Sequence, residues 1–128
     1  MFYKGSRAAL IAMEMDKKTY VKAQRLFTIV NYSRFVRPGY KLVTTQSSST
    51  AGVYLSAFHD LQSRQHVVVA INENMSPAVL AFPARVRTAV CYRTSVTEDL
   101  ARIGDLQAAD GRFTAQLAPQ SVTTFVMA

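Results

Sequence analysis

The chain has 128 residues, of which 49% are hydrophobic and 18% are charged, proportions typical of one folded domain and not of an intrinsically disordered chain. The formal net charge is +7, but the basic residues are dispersed and no run of five like charges occurs. We therefore interpret the densest basic group, between Lys17 and Arg37, as a solvated helix face and predict no nucleic-acid partner. Because Cys91 is the only cysteine in the sequence, an intrachain disulfide and a cysteine-based metal site are excluded. We predict that Cys91 is a buried, inert thiol.

The first 39 residues predict one short strand followed by one α-helix. Ala8 to Met13 form an apolar run whose length suits a buried strand. Asp16 can then cap a helix that extends to about Arg34, and Pro38-Gly39 ends this region. Apolar residues spaced by three and four form the predicted buried face of the helix: Tyr20, Ala23, Phe27 and Val30. No stretch approaches the ~20 apolar residues of a membrane span, and Met1 to Gly5 lack the apolar core of a signal peptide.

After Pro38-Gly39 the sequence changes to the period of two that is typical of strands. Val67 to Ile71 is continuously apolar and mostly β-branched, which predicts a central strand covered on both faces. Asp110-Gly111 is a strong turn signal. Short strands at regular spacing predict a mainly β fold, an antiparallel β-sandwich. The predicted strands are Tyr40 to Gln46, Gly52 to His59, Val67 to Ile71, Ala78 to Phe82, Thr88 to Thr94, Arg112 to Leu117 and Val122 to Met127.

The segment between the two parts carries a resemblance to a known family. Ser33-Arg34-Phe35-Val36-Arg37-Pro38-Gly39-Tyr40 resembles the junction of glycoside hydrolase family 30, where the final barrel helix enters a side β-domain. Segments 52–58, 67–72 and 121–126 are similar to the second, third and last strands of that side domain, whereas residues 83 to 118 match no pattern. The resemblance implies that residues 1–39 are the last strand and helix of a (β/α)8 barrel and that residues 40–128 are the side domain.

The resemblance also implies a function for a larger parent protein. Family 30 enzymes hydrolyse β-glycosidic bonds in polysaccharides such as xylan with retention, using two glutamates on the fourth and seventh barrel strands. No residue of this chain inherits either role, so we expect a non-catalytic fragment without a cofactor. Its implied partners are the missing N-terminal barrel and the polysaccharide substrate of the parent, which we expect to be secreted. Xylanase, glucosylceramidase and β-1,6-glucanase activities all remain open for that parent.

The residues give the same expectation independently of the family. Glycoside hydrolysis needs two carboxyl groups about 5 to 9.5 Å apart across the sugar. The adjacent pair Glu98-Asp99 does not meet this need, because neighbours on an extended chain point to opposite sides. Glu14, which follows the predicted last barrel strand, either lines the cleft of the parent or is an ordinary exposed carboxylate. His59 and His66 suit neither a metal site nor a catalytic triad, and we predict surface or turn positions for them.

Several residues have two interpretations. Arg34 and Arg37 match the carboxylates of an acidic xylan or, as we favour, pair across the interface between the barrel and the sandwich. The aromatic residues Tyr32, Phe35 and Tyr40 either stack on sugars or, as we favour, fill the same interface. An independent carbohydrate-binding module is the alternative function, although the chain contains no Trp, the strongest stacking residue.

Overall fold

The computed structural model describes residues 11–14, 19–22, 24–44 and 51–128. Strand β1 (Ile11–Glu14) pairs antiparallel with β2 (Thr19–Lys22), and helix α1 (Gln24–Ser33) follows. The strand predicted before the helix is therefore one of two that form a hairpin. Residues 8–10 and Asp16 lie outside the described part of the chain.

The prediction of a helix from Asp16 is wrong over residues 19–22, which form β2. Thr19, Tyr20 and Val21 are aromatic or β-branched, and such residues favour an extended backbone when a partner strand is available. Here β1 provides that partner, with Met13 opposite Tyr20. The helix consequently begins at Gln24 and has ten residues.

The rest of the chain forms eight strands in two antiparallel sheets. Six strands form the larger sheet in the order β3-β4-β5-β10-β7-β8, and β6 pairs with β9 in a two-stranded ribbon. Mainly antiparallel β-structure was the predicted fold class, and the structure confirms it. The strands are β3 (Lys41–Val43), β4 (Val53–His59), β5 (His66–Asn72), β6 (Ala78–Pro83), β7 (Thr88–Thr94), β8 (Ala101–Gln107), β9 (Arg112–Leu117) and β10 (Ser121–Met127).

The large sheet is covered on both faces. On one face the ribbon packs against it, and Phe82 of β6 lies 5.5 Å from Phe113 and 5.1 Å from Phe125, centroid to centroid. On the other face lie α1 and the junction that follows it. Strand β5 is interior to the sheet, and Val67 to Ala70 are all buried. The prediction of a central strand covered on both faces is confirmed.

Two strands differ from the sequence-based prediction. Strand β3 covers only Lys41–Val43 of the predicted Tyr40 to Gln46, of which residues 45 and 46 are not described. Strand β8 was not predicted, because its residues 102–105 are exposed and show no alternation of apolar and polar side chains. It lies at the edge of the sheet, where a bulge between Cys91 and Tyr92 interrupts its pairing with β7. An edge strand without a buried face leaves little signal in a sequence.

The predicted turn at Asp110-Gly111 is confirmed. Both residues have positive φ, 51° and 72°, as a type I′ turn requires, and glycine adopts this conformation without strain. The amides and carbonyls of Ala109 and Arg112 close the turn with hydrogen bonds of 2.9 and 3.0 Å. No helix among the described residues is long and apolar enough to cross a membrane.

Replacing Phe82 by Ala tests whether the ribbon completes the core. Phe82 is 1% exposed, so we expect F82A to lower the free energy of unfolding by about 3–5 kcal/mol. The matched control is Val79→Ala on the same strand, because Val79 is 56% exposed and its loss should cost less than about 0.5 kcal/mol. Urea unfolding followed by circular dichroism measures both, and equal costs would contradict this packing.

Candidate functional site

The segment after α1 leads the chain from the helix into the sheet, and hydrogen bonds hold both its start and its end. The Val36 amide donates to the Tyr32 carbonyl at 2.8 Å, and Arg37 Nη1 donates to the Ser33 carbonyl at 3.1 Å. Both bonds satisfy carbonyls that the end of a helix leaves free. The Tyr40 amide then donates to the Arg37 carbonyl across a turn with Pro38 second and Gly39 third. Gly39 has φ 100°, as the third position of a type II turn requires.

The side chains of this junction pack against the sheet. Phe35 lies 4.6 Å from Tyr92 of β7, centroid to centroid, and Tyr32 meets Phe58 of β4 edge-on at 6.2 Å. The Tyr40 hydroxyl is hydrogen-bonded to the side chain of Gln65. Four residues of this segment thus pack against Val67, Val69 and Val122 of the sheet, namely Tyr32, Phe35, Val36 and Tyr40. Their contact with a barrel stays a prediction.

Both junction arginines, Arg34 and Arg37, contact other residues of the chain. The Arg34 guanidinium carbon lies 5.5 Å from the Phe35 ring centroid and 5.7 Å from that of Tyr92, within the range of a cation–π contact. Arg37 holds the end of the helix through Ser33, although its side chain remains exposed. Both arginines thus contact other residues of this chain, and their pairing across an interface with a barrel stays a prediction.

A buried polar network attaches the helix to the sheet. Asn31 is fully buried and its Nδ2 donates to the Phe27 carbonyl at 2.8 Å and to Thr94 Oγ1 of β7 at 2.6 Å. The hydroxyl of Thr124 on β10 lies 2.8 Å from the Asn31 carbonyl oxygen and 3.0 Å from Asn31 Oδ1. The Leu100 amide also donates to Thr94 Oγ1, at 3.0 Å. Asn31 was not among the predicted site residues, and the available signal was an amide placed four residues after Phe27 of the apolar face.

Two of the described carboxylates, those of Glu98 and Asp60, accept hydrogen bonds from residues close to them in the sequence. Arg93 contacts Glu98 through two parallel bonds of 2.5 and 2.8 Å, and these hydrogen bonds lower the pKa of Glu98, helped by a bond from Ser95. Asp60 accepts bonds from Ser63 and Gln62, chiefly from the Ser63 hydroxyl, and its pKa is also lowered. Both carboxylates are therefore favoured as anions.

The remaining candidate residues are Glu14 and Cys91, together with any group that could bind a metal ion. Glu14 ends β1 opposite Thr19, and its side chain lies outside what the structure describes. Cys91 is buried as predicted, and burial raises the pKa of its thiol to about 11. Within residues 11–14, 19–22, 24–44 and 51–128, no group of three or more His, Cys, Asp or Glu is placed to hold a metal ion.

The two histidines lie at the strand ends that flank the turn between β4 and β5, at partly exposed positions. His59 and His66 are directly opposite each other on β4 and β5, partly buried, with parallel rings 4.1 Å apart at an angle of 7°. The turn between β4 and β5 places His59 directly opposite His66. Their spacing in the sequence alone did not predict this pairing.

A double-mutant cycle tests the buried network. We expect Asn31→Ala to cost about 2 kcal/mol or more and Thr124→Val about 1–2 kcal/mol, because each leaves a buried partner unpaired. The double variant should cost less than the sum, with a coupling of about 1 kcal/mol. Thr114→Val, at an exposed position of strand β9, is the control and should change stability by less than about 0.5 kcal/mol. Additive costs measured by urea unfolding would show that the two side chains do not interact.

Comparisons with known proteins agree with the junction. No protein-family model matches the sequence. Over 108 residues the chain is 34% identical to the glucuronoxylanase XynC of Bacillus subtilis, a match that covers 82% of this chain and 25% of the relative. The XynC of Bacillus subtilis strain 168 is 32% identical over the same shares.

Solved structures of the same group share the fold. A GH30 endoxylanase from Clostridium papyrosolvens C71 superposes with a TM-score of 0.76 at 30% identity, over 90% of this chain and 30% of that protein. The family 30 subfamily 8 xylanase Xyn30A from Clostridium acetobutylicum gives a TM-score of 0.77 at 28% identity, over 96% of this chain and 31% of that protein.

The chain thus spans about a quarter of the length of the curated relatives it matches. This share is consistent with a C-terminal portion of such a protein. The resemblance inferred from the junction is confirmed, and the chain is homologous to part of the xylanases of glycoside hydrolase family 30.

Proposed function

We propose that this chain is the C-terminal side-domain portion of a family-30-like glycoside hydrolase and that it supports a catalytic (β/α)8 barrel without catalysing hydrolysis itself. The observation that carries the proposal is its match to 25% of the glucuronoxylanase XynC over 82% of its own length. In this proposal residues 1–39 belong to the barrel and residues 40–128 to the side domain. The substrate is a xylan, as the names of the relatives indicate, and the parent is secreted.

The electrostatics of the described carboxylates support a non-catalytic role. A retaining glycosidase needs one carboxyl group with a raised pKa, which donates a proton at working pH, beside a second that attacks the sugar. The pKa values of Glu98 and Asp60 are instead lowered. Glu98 is bound to Arg93, Asp105 lies 2.7 Å from Arg102, and Asp60 closes its own turn. Each of these three carboxylates thus has a structural use.

The surface on the helix side suits a barrel as its partner. Helix α1 packs one side on the sheet through Asn31, Tyr32 and the junction, whereas Ile29 is 47% exposed on another side. Leu42 and Tyr54 are also exposed, and they alternate along β3 and β4 with residues that face the ribbon. Burial of such apolar side chains against a second domain is favourable by about 25 cal/mol per Å². We infer that the barrel covers them.

One observation favours a second candidate, an independent carbohydrate-binding module. Tyr54 is 56% exposed on β4, and exposed aromatic rings on sheets suit stacking against sugars. If the module acts alone, the chain should bind neutral xylan and Tyr54→Ala should abolish that binding; the support role requires neither.

A chimera tests the support role. The matched 108 residues of XynC are replaced by the corresponding residues of this chain. We expect the chimera to fold and hydrolyse xylan, and we expect the 128-residue chain alone to show no turnover above a blank. Turnover by the chain alone that is lost when one of its carboxylates is replaced would contradict the proposal, as would an unfolded chimera.

Ile29→Lys in the chimera tests whether the barrel covers the exposed side of helix α1. Because Ile29 is partly exposed in the chain, the change should leave the stability of the isolated chain within about 0.5 kcal/mol. In the chimera it places a charge on the side of the helix that meets the rest of the barrel and should lower the melting temperature of xylanase activity by several degrees. Val79→Lys is the matched control, since Val79 is 56% exposed on the ribbon. Equal effects of both changes would place the barrel elsewhere.

A further inference from the structure

Three basic residues form a row across neighbouring strands. Lys41 on β3 is directly opposite His59 on β4, and His59 is directly opposite His66 on β5. Directly opposite residues share one face of a sheet, and here it is the face that the ribbon covers, because Met127, opposite His66, belongs to that core. The two imidazole rings stack with centroids 4.1 Å apart.

A cavity of about 480 Å³ opens beside this row. Arg85, which follows β6, lines the cavity together with the two histidines. Apolar side chains, among them Phe82 and Met127, form the rest of the wall together with backbone and Thr44. The volume is within the range of about 300–1,000 Å³ that is usual for small-molecule sites.

No carboxylate is among the lining residues of this cavity as far as the chain is described. Asp60, the neighbour of His59 in the chain, has its carboxylate directed to the turn, where it accepts hydrogen bonds from Ser63 and Gln62. Like charges directly opposite each other on neighbouring strands are destabilising. Burial, followed by the positive charges of His59 and Arg85, accordingly lowers the pKa of His66. The site has cationic groups on two sides and no described counter-ion.

The ring geometry favours an anion over a metal ion as the occupant. A metal ion needs nitrogen lone pairs that converge on one point. The ring planes of His59 and His66 are within 7° of parallel and their centroids are 4.1 Å apart, so lone pairs that lie in these two planes do not converge on one point. Protonated rings present N–H donors in two separate planes, and such donors can bond the two oxygens of one carboxylate.

We propose that the cavity binds the carboxylate of an acidic sugar, a uronate. The carboxylate accepts hydrogen bonds from Arg85 and the histidine pair, and the apolar wall takes the C–H face of the sugar ring. The choice of a sugar rests on the proposed function, which makes a xylan with acidic substituents the available ligand. The site lies on the ribbon side of the sheet, opposite the surface assigned to the barrel, and would hold polysaccharide away from the catalytic cleft.

Binding should strengthen as the pH falls. A guanidinium is charged throughout this range, whereas an imidazole gains its charge only as the pH falls, and burial lowers the pKa of His66 from its usual value. A bound anion stabilises the protonated rings, so binding and protonation are linked. We expect the affinity for glucuronate to be about tenfold higher at pH 5 than at pH 8.

Titration of the whole 128-residue chain tests the proposal. Glucuronate, glucose and acetate are added separately at pH 5 and pH 8, and the histidine Cε1–H signals are followed by NMR. We expect saturable shifts of both histidines with glucuronate, none with glucose and at least tenfold weaker binding of acetate. Equal binding of glucose overturns the role of the charges, and equal binding of acetate overturns the role of the sugar.

Two arginine variants locate the site. Arg85→Gln should weaken glucuronate binding about tenfold, whereas Arg87→Gln, which is exposed and does not line the cavity, should leave it within about twofold. Equal effects of the two variants would overturn the assignment. This outcome is separate from the test of the support role, because the chimera reports xylanase activity without requiring the cavity. An active chimera with no uronate binding would refute only the uronate site.

Discussion

Asn31 is fully buried between the helix and the sheet. If its side-chain amide found no hydrogen-bond partner there, the folded state would be destabilised by about 1–3 kcal/mol. The amide finds partners in the Phe27 carbonyl and in Thr94 and Thr124. These partners belong to the helix itself, to β7 and to β10, which are neighbours in the sheet. A slide or rotation of the helix would break several of these bonds at once. The position of the helix over the sheet is therefore defined by polar groups as well as by apolar packing.

The junction depends on that position. With the helix fixed over β10 and β7, Phe35 meets Tyr92 and Tyr32 meets Phe58. The type II turn at Pro38-Gly39 then brings Tyr40 back over the sheet beside Gln65. The helix thereby becomes part of the same folded unit as the strands. This arrangement allows one outer surface of the unit to face a barrel while the ribbon face, with its basic row and cavity, stays separate.

The sequence predicted those parts whose signal is local. Val67 to Ile71 is apolar on both faces of the predicted strand. Asp110-Gly111 is a residue pair that strongly favours a two-residue hairpin turn. The start of the helix was misplaced because Thr19 to Lys22 fits both a helical face and a strand, and only the pairing with β1 decides between them. The histidine pair and the Asn31 network were missed because they join residues from different elements. Thr124 lies 93 positions from Asn31, and no local pattern links them.

The central claim is that the helix is docked on the sheet within this chain, by Asn31 and its partners, before any barrel covers it. Native-state amide hydrogen exchange of the isolated chain measures this directly. The account predicts that the amides of Asn31 and Tyr32 open with a free energy within about 1 kcal/mol of that of Val68 on β5, because both belong to one cooperative unit. Helix amides that open several kcal/mol more easily than Val68 would contradict it and would show that the helix needs the barrel to dock.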